Sequence, residues 1–326
     1  MRSLLAGSMI CAALIGCGWP EFPLFLSCEN NWTSMISEEH GLPALYAVFA
    51  TQNTVYAVGE HGQIVTMLYG QPLSYCKLAN DDTLTALAVS DSKLIITGTK
   101  GIYELTSINP CQQASVLRIA PSYLALCRDI STSGEFVVAA CDSGLVFKRL
   151  SDSNWSVESI QSARSVSLQD SIALVTADER VYRRNLETQT PSMYISNKVN
   201  KSILIDSWSD KKGTTYFVGT NAYFSFHNGT GWTNPNATLL QKFPSSNIVA
   251  VSGKGESGPI YLSGSYFNSI NARKESVFCK KTDDALMCDE PTGLQEYLGI
   301  YGAPFAAFRV GRGAIKGAGF MDCQRH

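Results

Sequence analysis

The 326-residue chain has almost no surplus charge of either sign, with 26 Lys and Arg against 28 Asp and Glu. Without a basic excess or a Lys/Arg run, nothing recommends nucleic acid as a partner. Histidine is scarce, with only His40, His61, His227 and His326 in the sequence. No C-x-x-C occurs, which removes zinc-ribbon and thioredoxin-like readings of the cysteines. H-E-x-x-H, C-x-x-C-H, G-x-S-x-G and a Walker loop are also missing, so no catalytic residue, metal or cofactor is called for. The longest N-terminal apolar run, Leu4–Ile15, is well short of the ~20 residues a membrane-spanning helix needs. Sustained helical periodicity is absent as well.

Strands separated by short turns fill the sequence instead. Six times an apolar strand enters a small or polar turn and leaves as a second strand. The turns begin at Gly59, Gly98, Cys141, Ala177, Gly219 and Gly264, a spacing of 36 to 45 residues. Hydrophobic content of 45% and charged content of 17% fit a chain able to bury a core. A strand–turn–strand repeat at this period is the sequence signature of a β-propeller.

In repeats resembling WD and quinoprotein-like propellers, each blade has four antiparallel strands, the first lining a central channel. On that pattern blade 1 runs Leu45–Ala50, Val55–Gly59, Gln63–Leu68 and Leu73–Leu78. Blades 2 to 6 follow over 84–119, 123–160, 164–195, 202–240 and 247–288. The remainder supplies only three C-terminal strands, 297–301, 304–309 and 314–321, and the unpaired N-terminal segment 32–37 is the missing fourth. The expectation is an all-β, seven-bladed β-propeller with a closing blade built from both termini, six or eight blades remaining open. Sharing a blade between the chain ends would remove an exposed strand edge.

Residues 1–16 have the form of an export signal, and 17–24 of a short tether leading into a domain over 25–326. The signal ends in Leu14-Ile15-Gly16-Cys17, which resembles the lipobox of bacterial lipoproteins. That resemblance implies cleavage before Cys17, lipid on its sulfur and acylation of its amine, a three-chain membrane anchor. Gly18, where Asp would mark inner-membrane retention, implies the outer membrane. Asn-x-Ser/Thr sequons at Asn31, Asn154, Asn200, Asn228 and Asn236 then read as turn residues.

With Cys11 in the signal and Cys17 lipidated, eight of the ten cysteines remain, an even number suited to disulfides in an exported protein. Cys127 and Cys141 are centred on the turn at Gly134, and Cys279 and Cys288 flank Asp283-Asp284, so each pair should face across a hairpin. Cys76 and Cys111 fall near the outer edges of blades 1 and 2, which leaves Cys28 with Cys323. That last bond would staple the ring, constraining the unfolded chain by roughly 4–5 kcal/mol.

The turns between second and third strands share one face with the blade-to-blade connections. Glu38, Glu39, Glu60, Asp81, Asp82, Asp142, Asp178 and Glu179 fall there, with His40 and His61 beside them. This acidic bias suggests a docking face, since loops on a rigid scaffold are where binding residues collect. Ser151–Trp155 and Asn228–Trp232 look loosely like the Asp-box turns of sialidase-type propellers but lack the full pattern. The expected role is a lipid-anchored binding or scaffold module for a protein or polymer at the cell envelope. A glycosidase- or lyase-type propeller enzyme acting on an extracytoplasmic glycan is the alternative.

Overall fold

A computed structural model describes residues 33–36 and, with short breaks, 42–319. The breaks are 52–53, 69–73, 79–80, 91–92, 106–115, 119–125, 189, 196–201, 236, 254–257, 271, 283–284, 289–296, 303–305 and 312–313. The export signal, Cys17, Cys28, Glu38, Glu39, His40, Cys111 and Cys323 lie outside the described residues.

The described chain begins with β1 (Thr33–Ile36). Blade 1 follows as β2 (Leu45–Ala50), β3 (Thr54–Gly59), β4 (Gln63–Leu68) and β5 (Ser74–Lys77). Blade 2 is β6 (Leu84–Ser90), β7 (Lys93–Gly98), β8 (Gly101–Leu105) and β9 (Val116–Arg118). Blade 3 is β10 (Cys127–Ser133), β11 (Phe136–Cys141), β12 (Gly144–Arg149) and β13 (Ser156–Glu158). Blade 4 is β14 (Ala163–Gln169), β15 (Ile172–Ala177), β16 (Arg180–Asn185) and β17 (Met193–Ile195). Blade 5 is β18 (Leu204–Ser209), β19 (Thr215–Gly219), β20 (Tyr223–His227) and β21 (Trp232–Thr233), then helix α1 (Ala237–Lys242). Blade 6 is β22 (Asn247–Gly253), β23 (Ile260–Asn268), β24 (Arg273–Lys281) and β25 (Leu286–Cys288). The chain ends with β26 (Tyr297–Gly302), β27 (Ala306–Gly311) and β28 (Ala314–Gly319).

Each of these six blades is one antiparallel sheet of four consecutive strands. A further four-stranded sheet has the order β1-β28-β27-β26, and β26 packs against β22 on one side and β2 on the other. Both ends of the described chain therefore meet in one sheet between blades 6 and 1.

The core is divided into wedges between neighbouring blades. Tyr56, Ile64, Leu87 and Ile96 fill the wedge between blades 1 and 2. Val138, Leu145, Val166 and Val175 fill that between blades 3 and 4. The second strand of each blade is covered on both faces, so β3 and β11 are buried throughout, and such strands read as continuous apolar runs. Outer strands alternate, as β5 does with Tyr75 and Lys77 outward and Cys76 inward. No blade could bury its own faces alone, which is why stability here depends on neighbours.

Cys127 is bonded to Cys141 and Cys279 to Cys288, each pair directly opposed in its hairpin. Cys76 is also disulfide-bonded.

Two local expectations are corrected. Gly264–Phe267 is not a turn: β23 continues to Asn268, and β23 and β24 project as an arm beyond Asn247, the first residue of β22. Tyr266 and Phe267 are strand formers, and the turn waits for the polar residues at 268–269. In blade 5, expected as strands to residue 240, the outer strand is only Trp232–Thr233, and α1 follows it. Pro235 cannot donate to a ladder, and the following Ala-Thr-Leu-Leu-Gln-Lys favours helix once Leu239 and Phe243 find the core.

Candidate binding site: the central channel

The first strand of every sheet has a register shift just after its start, as at Cys127/Asp129, Ala163/Ser165 and Leu204/Asp206. The same shift occurs at Leu45/Ala47, Leu84/Ala86, Ile248/Ala250 and Tyr297/Gly299. A β-bulge re-aims the side chains around it and bends the strand. Two layers result at the channel mouth. The bulged residues Tyr46, Thr85, Arg128, Arg164, Ile205 and Val249 line its rim, and the residues that follow them form the layer beneath. Together these first strands enclose a cavity of about 800 Å3.

The rim is made of fixed pairs. Arg128 Nη2 donates to Asp142 Oδ1 at 2.7 Å, and Arg164 Nη2 to Asp178 Oδ1 at 3.3 Å. Tyr46 Oη donates to Glu60 Oε1 at 2.8 Å, and His61 Nδ1 lies 3.1 Å from Asp81 Oδ1. Asp82 is fully buried, accepting from Thr99 Oγ1, from the Lys100 amide and from Tyr103 Oη at 2.7 Å. Of the predicted acidic residues, Asp142 and Asp178 thus come together at the channel mouth, each holding an arginine. Asp82 serves the fold, and Glu179 stays exposed. Counting charges in loops missed Arg128 and Arg164, because both sit inside first strands.

The layer beneath divides into two halves. Ala47, Ala86, Ala250 and Gly299 form a small, apolar wall, whereas blades 3 and 5 present Asp129 and Asp206, with the buried Ser165 of blade 4 hydrogen-bonded to Asp206 behind the surface. Gly299 is required by closeness, since a Cβ there would lie 2.4 Å from the Tyr46 carbonyl oxygen.

Asp129 Oδ1 accepts from the Ile130 amide and Oδ2 from the Val166 amide of the next blade, both at 2.8 Å. Asp206 repeats this one blade pair further on, with Oδ1 accepting from Ser207 N and Oδ2 from Val251 N, both at 2.8 Å. Ser165 Oγ sits between, 3.2 Å from Asp206 Oδ1 and 2.7 Å from Ser207 Oγ. Ser131 and Ser133 extend the pattern, accepting from the amides of Leu168 and Asp170. First strands are sheet edges with unpaired amides, and side chains from the preceding blade cap them.

Burial pushes the Asp129 carboxyl up to about 6, against the lowering effect of its amide donors. Burial is also the main cause that pushes Asp206 up to about 8, and the neighbouring Asp129 charge adds to it. The pair therefore retains a proton near neutral pH, and Ser165 Oγ donates to Asp206 Oδ1. Sequence reasoning overlooked this cluster. Its available signal was an acid inside an apolar strand, as in Leu204-Ile205-Asp206.

Among the described residues no group of three or more His, Cys, Asp and Glu is placed to hold a metal. No helix there is long and apolar enough to cross a membrane.

No family model and no curated protein sequence matches the chain. Solved structures do. YCF48 bound to a D1 peptide superposes with a TM-score of 0.68 at 14% identity, covering 91% of this chain and 99% of that one. The WD40 propeller domain of Doa1 gives 0.64 at 8% identity, covering 84% and 92%. The fold is a β-propeller. A catalytically inactive histidine-to-alanine virginiamycin B lyase from Staphylococcus aureus, with quinupristin, also gives 0.64, at 10% identity over 88% of this chain and 98% of that one. Identities this low carry the fold alone. No histidine lines the channel of the present propeller among the described residues.

Proposed function

We propose that this protein is a lipid-anchored, extracytoplasmic binding module that receives a protein or polymer partner at the channel mouth. The observation that carries this reading is the mouth itself, a rigid rim of tyrosine, paired arginines and aliphatic residues above an open cavity. YCF48, a propeller of similar fold that binds a D1 peptide, supports the same choice. Among the described residues no histidine lines the channel, and Asp129 and Asp206 are each tied to backbone amides of the neighbouring strands.

We read the sheet shared by the two chain ends as the seventh, closing blade, with a Cys28–Cys323 staple beside it. Its geometry orients the molecule. Thr33 pairs with Gly317 and Ile36 with Ile315, so β1 runs toward the face of the second-to-third-strand turns. β1 therefore begins at the opposite face. A lipid on Cys17 would hold that opposite face toward the membrane and leave the mouth pointing away from it.

The test is affinity capture from detergent-solubilised envelope with wild type and with Glu60→Lys/Asp142→Lys. The double reversal should reduce partner recovery at least tenfold and flatten its salt dependence, on the order expected for rim charges. Equal recovery by both proteins would place the docking surface elsewhere. Turnover of an envelope glycan by wild type, lost on blocking the channel, would favour the enzyme.

A further inference from the structure

We propose that the channel wall of blades 3 to 5 is a binding site for one positively charged nitrogen, a primary ammonium or guanidinium group, held between Asp129 and Asp206. This deepens the binding reading above by naming the chemistry a partner would insert, and depends on it only for what carries the charge.

Three observations converge. First, both carboxyl groups line the cavity and keep acceptor capacity. Each Asp129 oxygen accepts one amide, as does Asp206 Oδ2, and a carboxylate oxygen can accept more than one hydrogen bond.

Second, the cations of the protein are directed away from them. Arg128 and Arg164, adjacent in sequence to Asp129 and Ser165, are drawn to the rim by Asp142 and Asp178. Lys211 lines the same cavity but comes five residues after Asp206, on the order of 15 Å further along. The neighbouring first strands β6 and β22 have no titratable side chain, and β15 has none either. Tyr46 on β2 is engaged by Glu60, Cys141 on β11 is in a disulfide, and Tyr216 on β19 packs on Trp208. No described side chain thus supplies the counter-charge.

Third, one polar group in this wall has no partner. Ser167 Oγ is 4% exposed, makes no hydrogen bond and belongs to a residue lining the cavity. It lies two residues beyond Ser165 on β14, hence on the same side of the strand. Buried hydroxyls are normally satisfied, so an unpartnered one here is a place for a ligand's N–H. The facing Ala and Gly wall leaves room for a side chain to enter, and the cavity is within the usual range for ligand sites.

An incoming ammonium takes the role of the retained proton. Its charge favours the ionised form of Asp206, whose proton leaves to solvent, so binding and proton release are linked.

The experiment titrates the purified full chain with n-butylammonium chloride in weak buffer at about pH 7, recording proton release and the melting temperature. Equal NaCl and n-butanol serve as controls. Saturable release approaching one proton per chain, with a rise in melting temperature, is expected from butylammonium alone. Asp206→Asn should cut the release about tenfold, and Glu179→Gln, on the exposed turn, should leave it unchanged. Wild type supplies a readout that needs no variant: at about pH 9, where the pair is already ionised, binding should tighten while proton release vanishes. Absence of saturable binding, or undiminished release at about pH 9, overturns the site. If partner capture still succeeds in that case, the binding-module reading survives; butylammonium binding with no captured partner has the reverse meaning.

Discussion

Asp129 and Asp206 hold first strands of adjacent blades together through backbone amides, and their burial sets a pH dependence. Both carboxyls have folded-state values raised above the unfolded one, so protonation favours the folded chain. Their stabilising effect is complete below about pH 4 and is lost as pH rises through about 6 and then about 8. Melting temperatures should therefore fall by roughly ten degrees or more between pH 5 and 9, corresponding to about 5 kcal/mol, with most of the loss absent in Asp206→Asn. A flat profile in wild type would show that the carboxyls titrate normally. The residues themselves were visible in the sequence as acids inside apolar strands. Their proximity was not, because Asp129 and Asp206 are separated by a whole blade and meet only through Ser165.

The hairpins at the element scale were largely legible, and the reasons for the misses are local. Strand runs such as Phe136–Cys141 announce themselves by unbroken apolar, β-branched composition. The blade 6 arm did not, since Gly264 resembled the turn glycines of other blades. Its lack of a Cβ admits the Asn247 carbonyl, as Gly59 and Gly219 admit those of Ala44 and Ile203, but in blade 6 the strand continues past it. The arm places Phe267 and Ile270 in solvent, 66% and 96% exposed. Disulfide geometry followed from hairpin symmetry, and each bond staples strands that already pair. Replacing both Cys127 and Cys141 by Ala should lower stability by about 2–3 kcal/mol in urea unfolding, with the fold retained. A larger loss, or aggregation, would mean that blade 3 needs the bond to form at all.

On the scale of the molecule, period and composition lead to a propeller because four-stranded blades bury their faces against neighbours, and a closed ring leaves no blade with an uncovered face. The proposed lipid anchor at Cys17 is tested at this scale. Cys17→Ala should move most of it from the detergent phase to the aqueous phase in Triton X-114 partitioning, with an unaltered melting curve. Retention in the detergent phase would argue for another anchor. The sequence by itself determined strand identity, repeat length and the facing cysteines of two hairpins, because each depends on neighbours within one hairpin or on a sustained pattern. Only tertiary structure decided that Arg128 and Arg164 neutralise the acidic turns, that Asp82 belongs to the core, and that two distant carboxyls share one channel wall. Those outcomes depend on how first strands bulge and pack around the channel, a geometry set between blades rather than along the chain.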